Sequence, residues 1–252
     1  MDRSMREVDT VFFDLGDTIV DLREGNSDYA ARVAARAQHV YDAIAPRCPV
    51  MPDRQEFIER LAYGTEAFYL AAVARLEGVD IYDALHHLFD EMSIPADDGL
   101  LKEAGDAYYQ GNASLAPLRI GAAEVLGALR ARGLKLGVIS NTLQPGRWAD
   151  LALERRGLLH LLAARIYSSE VRVAKPHPAI FHAALDAIGV AAERAVHVGD
   201  RLVADVSGAQ AVGMKAVLIE VSHRSKEASN IVPDARIREL PELLNLLPGL
   251  PT

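Results

Sequence analysis

Four short segments carry side chains whose types and spacing could do chemistry. Val11-Phe12-Phe13-Asp14-Leu15-Gly16-Asp17-Thr18 is an apolar run that ends on a carboxylate and passes at once into a glycine-containing turn. A strand delivers its last side chain into the crevice where α/β sheets bind ligands, so Asp14 reads as chemistry; Asp and Gly after a strand are also ordinary turn formers. Leu134-Lys135-Leu136-Gly137-Val138-Ile139 closes on Ser140-Asn141-Thr142, hydroxyl and amide groups that can hydrogen-bond an oxyanion or cap a helix. In Ala174-Lys175-Pro176-His177-Pro178, prolines stiffen the chain around one lysine, and Pro178 sits where a helix through Phe181 and Leu185 could start. A lysine alone is more often a solvated surface charge. Finally, Ala195-Val196-His197-Val198 ends on Gly199-Asp200, with Asp205 following; two acids at that spacing can give hard oxygen ligands to Mg²⁺, although Asp205 could equally cap a helix.

Taken in order, the four strand ends offer an aspartate nucleophile, a Ser/Asn oxyanion binder, a lysine and an acidic metal pair. The set resembles the haloacid dehalogenase-like (HAD) hydrolase superfamily: hhhhD at Asp14, hhhS at Ser140, KP at Lys175 and Pro176, and GDxxxxD from Gly199 to Asp205. The resemblance implies a Mg²⁺-dependent phosphomonoesterase for a small soluble phosphorylated metabolite. In it Asp14 attacks phosphorus to give an aspartyl-phosphate, and water then releases phosphate. Asp14, the Gly16 carbonyl and Asp200 would hold Mg²⁺. Lys175 would act as a fixed positive charge, Ser140 and the Asn141 backbone N–H would complete the oxygen cradle, and Asp205 would orient Lys175 or a metal-bound water.

One departure matters. Where the resembled phosphatases commonly carry DxD, this chain has Asp14-Leu15-Gly16, with Asp17 one place further on. Gly16 cannot protonate a leaving group, a loss that typically costs about 10²–10⁴-fold. Two alternatives stay open: a 2-haloacid dehalogenase-like hydrolase, or a catalytically weak binding or regulatory protein on the same scaffold. The dehalogenating relatives typically replace the acidic pair that Asp200 and Asp205 retain here. Phosphonate-cleaving relatives need a lysine early in the cap, and this chain has none between Met1 and Leu101.

The elements that must position these groups follow from periodicity. Between about Asp28 and Gly111 apolar residues recur at helical spacing, predicting helices near 28–44, from Asp53 (opening like a capping box) to Gly78, 81–92 and 97–110. Phe57, Leu61, Phe68, Ala71 and Ala72 form a stripe expected to be bundle core. The neighbours His86 and His87 point apart and are poor joint metal ligands. From Leu115 strands and helices alternate: helix 122–132, strand 135–140, helix 149–156, strand 165–168, helix 179–188, strand 195–198, helix 203–212, strand 216–219. That alternation predicts an α/β fold, a Rossmann-like parallel sheet flanked by helices, with a core from 1–22 and 114–252 and an inserted helical cap, C1-type in the resembled family, over 23–113. Hinges are expected near 21–24 and 113–118. Asp21, Gln144, Arg147, His177 and Arg201 are weaker candidates for substrate contact. Trp148 is expected to pack a helix start against the core, and His197 to be a hydrogen-bonded core residue.

Composition bounds the rest. With 252 residues and half of them hydrophobic, the chain can bury a large core. A net charge of −8 and no basic stripe disfavour nucleic acid and anionic membranes. The single cysteine, Cys48, excludes an intramolecular disulfide. No apolar stretch reads as a signal peptide or membrane span, so a cytoplasmic location is expected.

Overall fold

A computed structural model describes residue 5 and residues 7–22, 29–110, 116–222 and 230–247. In chain order the elements are β1 (Thr10–Phe13), α1 (Tyr29–Ile44), α2 (Arg54–Ala74), α3 (Ile81–Glu91), α4 (Asp98–Gln110), α5 (Ala122–Ala131), β2 (Lys135–Ser140), α6 (Gly146–Glu154), β3 (Ala164–Tyr167), α7 (Ser168–Val171), α8 (Pro178–Ile188), β4 (Ala195–Gly199), α9 (Gly208–Ala211), β5 (Lys215–Ile219), β6 (Ala235–Ile237) and α10 (Leu243–Leu246). The six strands form one sheet in the order β3-β2-β1-β4-β5-β6, and every pairing is parallel. The chain builds outward from β1 to β3 and returns to β1's other side as β4. The reversal opens a crevice at the carboxyl ends of β1 and β4. Asp14 follows one of these strands and Asp200 the other.

Alternation along β1 divides the packing. Val11 and Phe13 face one layer with Leu126, Leu136, Val138, Val196, Val217 and Leu243. Phe12 faces the other with Ile139, Phe181, Leu185, Ala209 and Leu218. All these strand residues are fully or almost fully buried, as expected of a parallel sheet covered by helices on both sides.

The helices between β1 and β2 bury a separate cluster that includes Phe57, Leu61, Leu85, Leu88, Phe89 and Tyr108. The expected stripe is corrected at two places: Phe68 is only half-buried and Ala71 is exposed, because α2 turns a broad apolar face outward. Asp53 does cap α2, accepting from the Gln55 and Glu56 N–H, whereas a reciprocal capping box forms at Asp80 and Asp83 before α3. His86 and His87 turn to Asp90 and Glu91, one helical turn on. Residues 23–28 and 111–115 lie outside the described residues, and with them half of the expected hinge positions.

Bundle and sheet layer meet directly. Ala174 N–H donates to the Leu76 carbonyl (3.0 Å), Ile81 N–H donates to the Leu143 carbonyl (3.0 Å), and Glu77 bridges Val173. Arg172 pairs with Asp80 and Asp83, and Arg147 with Tyr82 and Asp106. Trp148, at the start of α6, packs against the core cluster of the bundle, its ring 6.3 Å from that of Tyr109. The expected helix 203–212 begins as a π turn, Leu202–Ser207, before α9. The three-residue β6 has no sequence signal of its own, since only Ile237 is buried.

Candidate active site

Asp14 follows the buried run Thr10–Phe13, and its N–H donates to the Val198 carbonyl of β4 (2.9 Å), which locks the end of β1 against β4. Into that seam comes Lys175, 161 residues away in sequence and only 1% exposed. Its Nζ donates three hydrogen bonds, to Asp14 Oδ1 (2.7 Å), Asp205 Oδ1 (2.6 Å) and the Ile139 carbonyl (2.8 Å). An ammonium has three protons to give, so its donors are fully used.

Asp205 is held as tightly. Its Oδ1 also meets His197 Nε2 (3.0 Å), and Oδ2 accepts the Arg201 N–H (2.9 Å). Gly199 is required beneath it: a Cβ there would lie 2.2 Å from the Asp205 carboxyl carbon. Asp205 therefore sits under the strand end as a brace between Lys175 and His197. Because an ionised carboxylate can only accept, Nε2 carries the His197 proton. His197 is fully buried, and burial lowers its pKa, keeping the ring neutral.

One ammonium serves two acids unequally. Burial raises Asp14 above the ordinary carboxylate range, with Lys175 pulling it down and the nearby charge of Asp205 pushing it up. Burial also opposes ionisation of Asp205, but Lys175 and His197 outweigh it and hold the carboxyl well below the usual range. Lys175, which burial alone would lower, is raised by Asp14 and Asp205. Asp205 and Lys175 are therefore both charged at neutral pH.

Asp14, Asp200 and Asp205 each place a carboxylate oxygen within 4.8 Å of the others. Three buried carboxylates against one ammonium leave two negative charges, a balance that suits a divalent cation with oxygen ligands. Asp205 has both oxygens committed to protein donors, which turns Asp14 and Asp200 toward that role. In the turn after β1, hydrogen bonds from Thr18, Ile19 and Val20 end on the Leu15 carbonyl and that of Asp17 on the Val20 carbonyl, so the Gly16 carbonyl lies outside the turn's own network.

Ser140 ends β2 and is buried beside these groups. The Asn141 side chain is spent on structure, its Nδ2 donating to the Lys175 carbonyl (3.0 Å) and its Oδ1 accepting the Lys175 N–H (2.8 Å). Asp17 turns away: it has a left-handed backbone (φ 58°), and its Oδ1 accepts the Leu22 N–H (3.0 Å). The weaker candidates divide. Arg147 is bound to the bundle and His177 caps α8. Asp21 and Arg201 line an open cavity of about 920 Å³ that touches the acids at Asp200 and runs past Arg119 to the ends of β5 and β6.

His197 is the hydrogen-bonded core residue expected of it, and its partner is the acid that holds Lys175; that pairing of His197 with Asp205 had no signal in the sequence beyond an imidazole in an apolar strand.

Comparison with known proteins points to one family. A family model for haloacid dehalogenase-like hydrolases matches residues 8–213. A glyceraldehyde 3-phosphate phosphatase of Pyrococcus furiosus is 30% identical over 96% of this chain and 94% of its own. Among solved structures, a 2-haloacid dehalogenase of Pseudomonas syringae pv. Tomato superposes with a TM-score of 0.68 at 25% identity, covering 96% of this chain and 98% of that one. A HAD phosphatase of Thermococcus onnurineus gives a TM-score of 0.62 at 27% identity, covering 96% and 99%. No helix among the described residues is long and apolar enough to cross a membrane.

Proposed function

This chain belongs to the haloacid dehalogenase-like hydrolases, and from that premise we propose that it is a Mg²⁺-dependent phosphomonoesterase acting on a small phosphorylated metabolite, with the helical segment 23–113 as its cap. The observation that carries the reading is Lys175 bridging Asp14 and Asp205 beside Asp200. This arrangement pairs a carboxylate nucleophile with a fixed cation next to an acidic pair.

The chain's own groups suit each requirement. Asp14, the Gly16 carbonyl and Asp200 would hold Mg²⁺, which when bound would offset the charge of a phosphate dianion approaching a carboxylate. An Asp14 carboxylate needs no base to activate it. Its oxygen forms the bond to phosphorus as the ester P–O bond breaks, and water later cleaves the aspartyl-phosphate. Lys175 holds Asp14 in place and presents positive charge toward the transferring group. Ser140 and the Asn141 backbone N–H donate to its oxygens. Asp205 keeps Lys175 in position and is itself fixed by His197 and the Arg201 N–H.

A 2-haloacid dehalogenase reading draws support from the fold likeness to such an enzyme. The buried acids weigh against it, because two uncompensated negative charges repel both a substrate carboxylate and a departing halide. The closing test is a panel of phosphorylated metabolites and haloacids, assayed with millimolar Mg²⁺ and with EDTA, for the native chain and Asp14→Asn. Phosphate release lost with EDTA and in Asp14→Asn supports the proposal. Halide release that survives EDTA sinks it.

A further inference from the structure

The cavity of about 920 Å³ that meets Asp200 has four arginines among its described lining residues. Three of them are engaged within the protein. Arg119 donates to the Asp17 carbonyl (3.1 Å), and Arg236 and Arg238 pair with Glu220 (3.5 and 3.9 Å). Arg201 differs. Its backbone is clamped beside Asp200, the N–H donating to Asp205 Oδ2 (2.9 Å) and the carbonyl accepting from the N–H groups of Asp205 and Val206 (2.9 and 3.2 Å). Its guanidinium makes no hydrogen bond or ion pair among the described residues. Asp21 lines the same cavity. Its N–H donates to the Pro117 carbonyl (2.8 Å), yet its Oδ1 is buried without a hydrogen-bond partner, a costly state for a carboxylate oxygen.

We infer that this cavity takes the alcohol half of the ester, with Arg201 pairing with a carboxylate there and Asp21 accepting from a hydroxyl beside it. The substrate class is then the phosphate ester of a small hydroxylated acid; the inference rests on the phosphomonoesterase reading. A guanidinium on a fixed backbone presents two parallel donors that match a carboxylate. Asp21, Glu220 and Glu239 also line the cavity, so one available cation among acids suits a single negative charge better than a second phosphate dianion. The ligand's hydroxyl supplies the proton that Asp21 Oδ1 lacks. Specificity would therefore be read by the sheet domain, next to the acid pair, and not by the bundle alone.

The test compares 3-phosphoglycerate with two esters of the same chain length, all with Mg²⁺ present. Glycerol 3-phosphate has a hydroxymethyl group in place of the carboxylate, and the phosphate ester of 3-hydroxypropionate lacks the neighbouring hydroxyl. In kcat/KM the native chain should prefer 3-phosphoglycerate to either by about 10-fold or more. Arg201→Met should lower 3-phosphoglycerate turnover about 10–100-fold and that of glycerol 3-phosphate less than about 3-fold. Asp21→Ala should cut the preference for 3-phosphoglycerate over the hydroxypropionate ester by about 5-fold or more. Neither variant removes a side-chain hydrogen bond among the described residues, so both should keep the native circular dichroism spectrum. The absence of a native preference would overturn the assignment and leave the phosphatase reading standing. So would an Arg201→Met loss equal on both its esters, the result if the guanidinium grips the reacting phosphate, or an Asp21→Ala loss blind to the hydroxyl. If the native chain cleaves neither these esters nor p-nitrophenyl phosphate, both readings fall together.

Discussion

Lys175→Met removes the most heavily bonded buried charge and keeps nearly all of its volume. The native ammonium donates at 2.7, 2.8 and 2.6 Å to Asp14, the Ile139 carbonyl and Asp205. Without it, two buried carboxylates face each other with no cation between them. Breaking a buried pair from one side costs about 3–5 kcal/mol, and for a chain of this size each kcal/mol moves the thermal midpoint by roughly 2–4 °C. A fall of roughly 6–20 °C at pH 7 follows. The sign with pH follows from the shifts. Asp205 is depressed in the fold, so its stabilisation is present above its unfolded value near 3.9 and is lost only as pH falls through the folded value. Lys175 is raised, so its share is complete below its unfolded value and constant across the acid range. In Lys175→Met both carboxyls lose that cation and protonate at higher pH, so the deficit against the native chain should shrink as pH is lowered from 7 to 4. Urea titrations followed by far-UV circular dichroism and by the fluorescence of Trp148, the single tryptophan, would measure it. A deficit under about 1 kcal/mol at pH 7, or one independent of pH, would refute the reasoning.

Asp14→Asn should lower phosphate release by roughly 10⁴-fold or more. Since burial raises Asp14, its ionised form opposes folding, so the same variant should have a higher thermal midpoint at pH 7, a gain that disappears toward pH 4; an unchanged or lower midpoint contradicts the site's electrostatics. Mg²⁺ at about 100 times its dissociation constant should stabilise the native chain by about 2.7 kcal/mol in thermal denaturation, and Asp200→Asn should weaken that response; an equal response in both would place the ion elsewhere. For Gly16→Asp, a Cβ would lie 2.7 Å from Leu22 Cδ1. The single variant should therefore express with a lowered midpoint, and Leu22→Ala should relieve it; denaturation midpoints of the two proteins decide.

Much of the fold was legible because it depends on local pattern. The apolar runs of β1, β2, β4 and β5 end within a residue or two of the expected places, and Pro178 opens α8 as the position of its ring allows. Asp14, Ser140 and Asp200 could be picked out because strand ends in an alternating α/β chain converge on one crevice, whereas Lys175, in the turn before α8, was marked by its place beside Pro176. The bounds of α6 and the outer face of α2 were harder, since apolar spacing marks a helix without saying which side a neighbour will cover. The three residues of β6 fall below any periodic signal.

The sequence alone determined the order of the elements and which polar groups stand at strand ends, since backbone propensity and side-chain alternation act over a few residues. Which partners those groups meet was decided only by tertiary structure. Asn141 is consumed by the Lys175 peptide, Asp205 is braced by His197, and Trp148 belongs to the bundle. Burial and Coulomb forces depend on distances in space between residues far apart along the chain, and no local pattern encodes those distances.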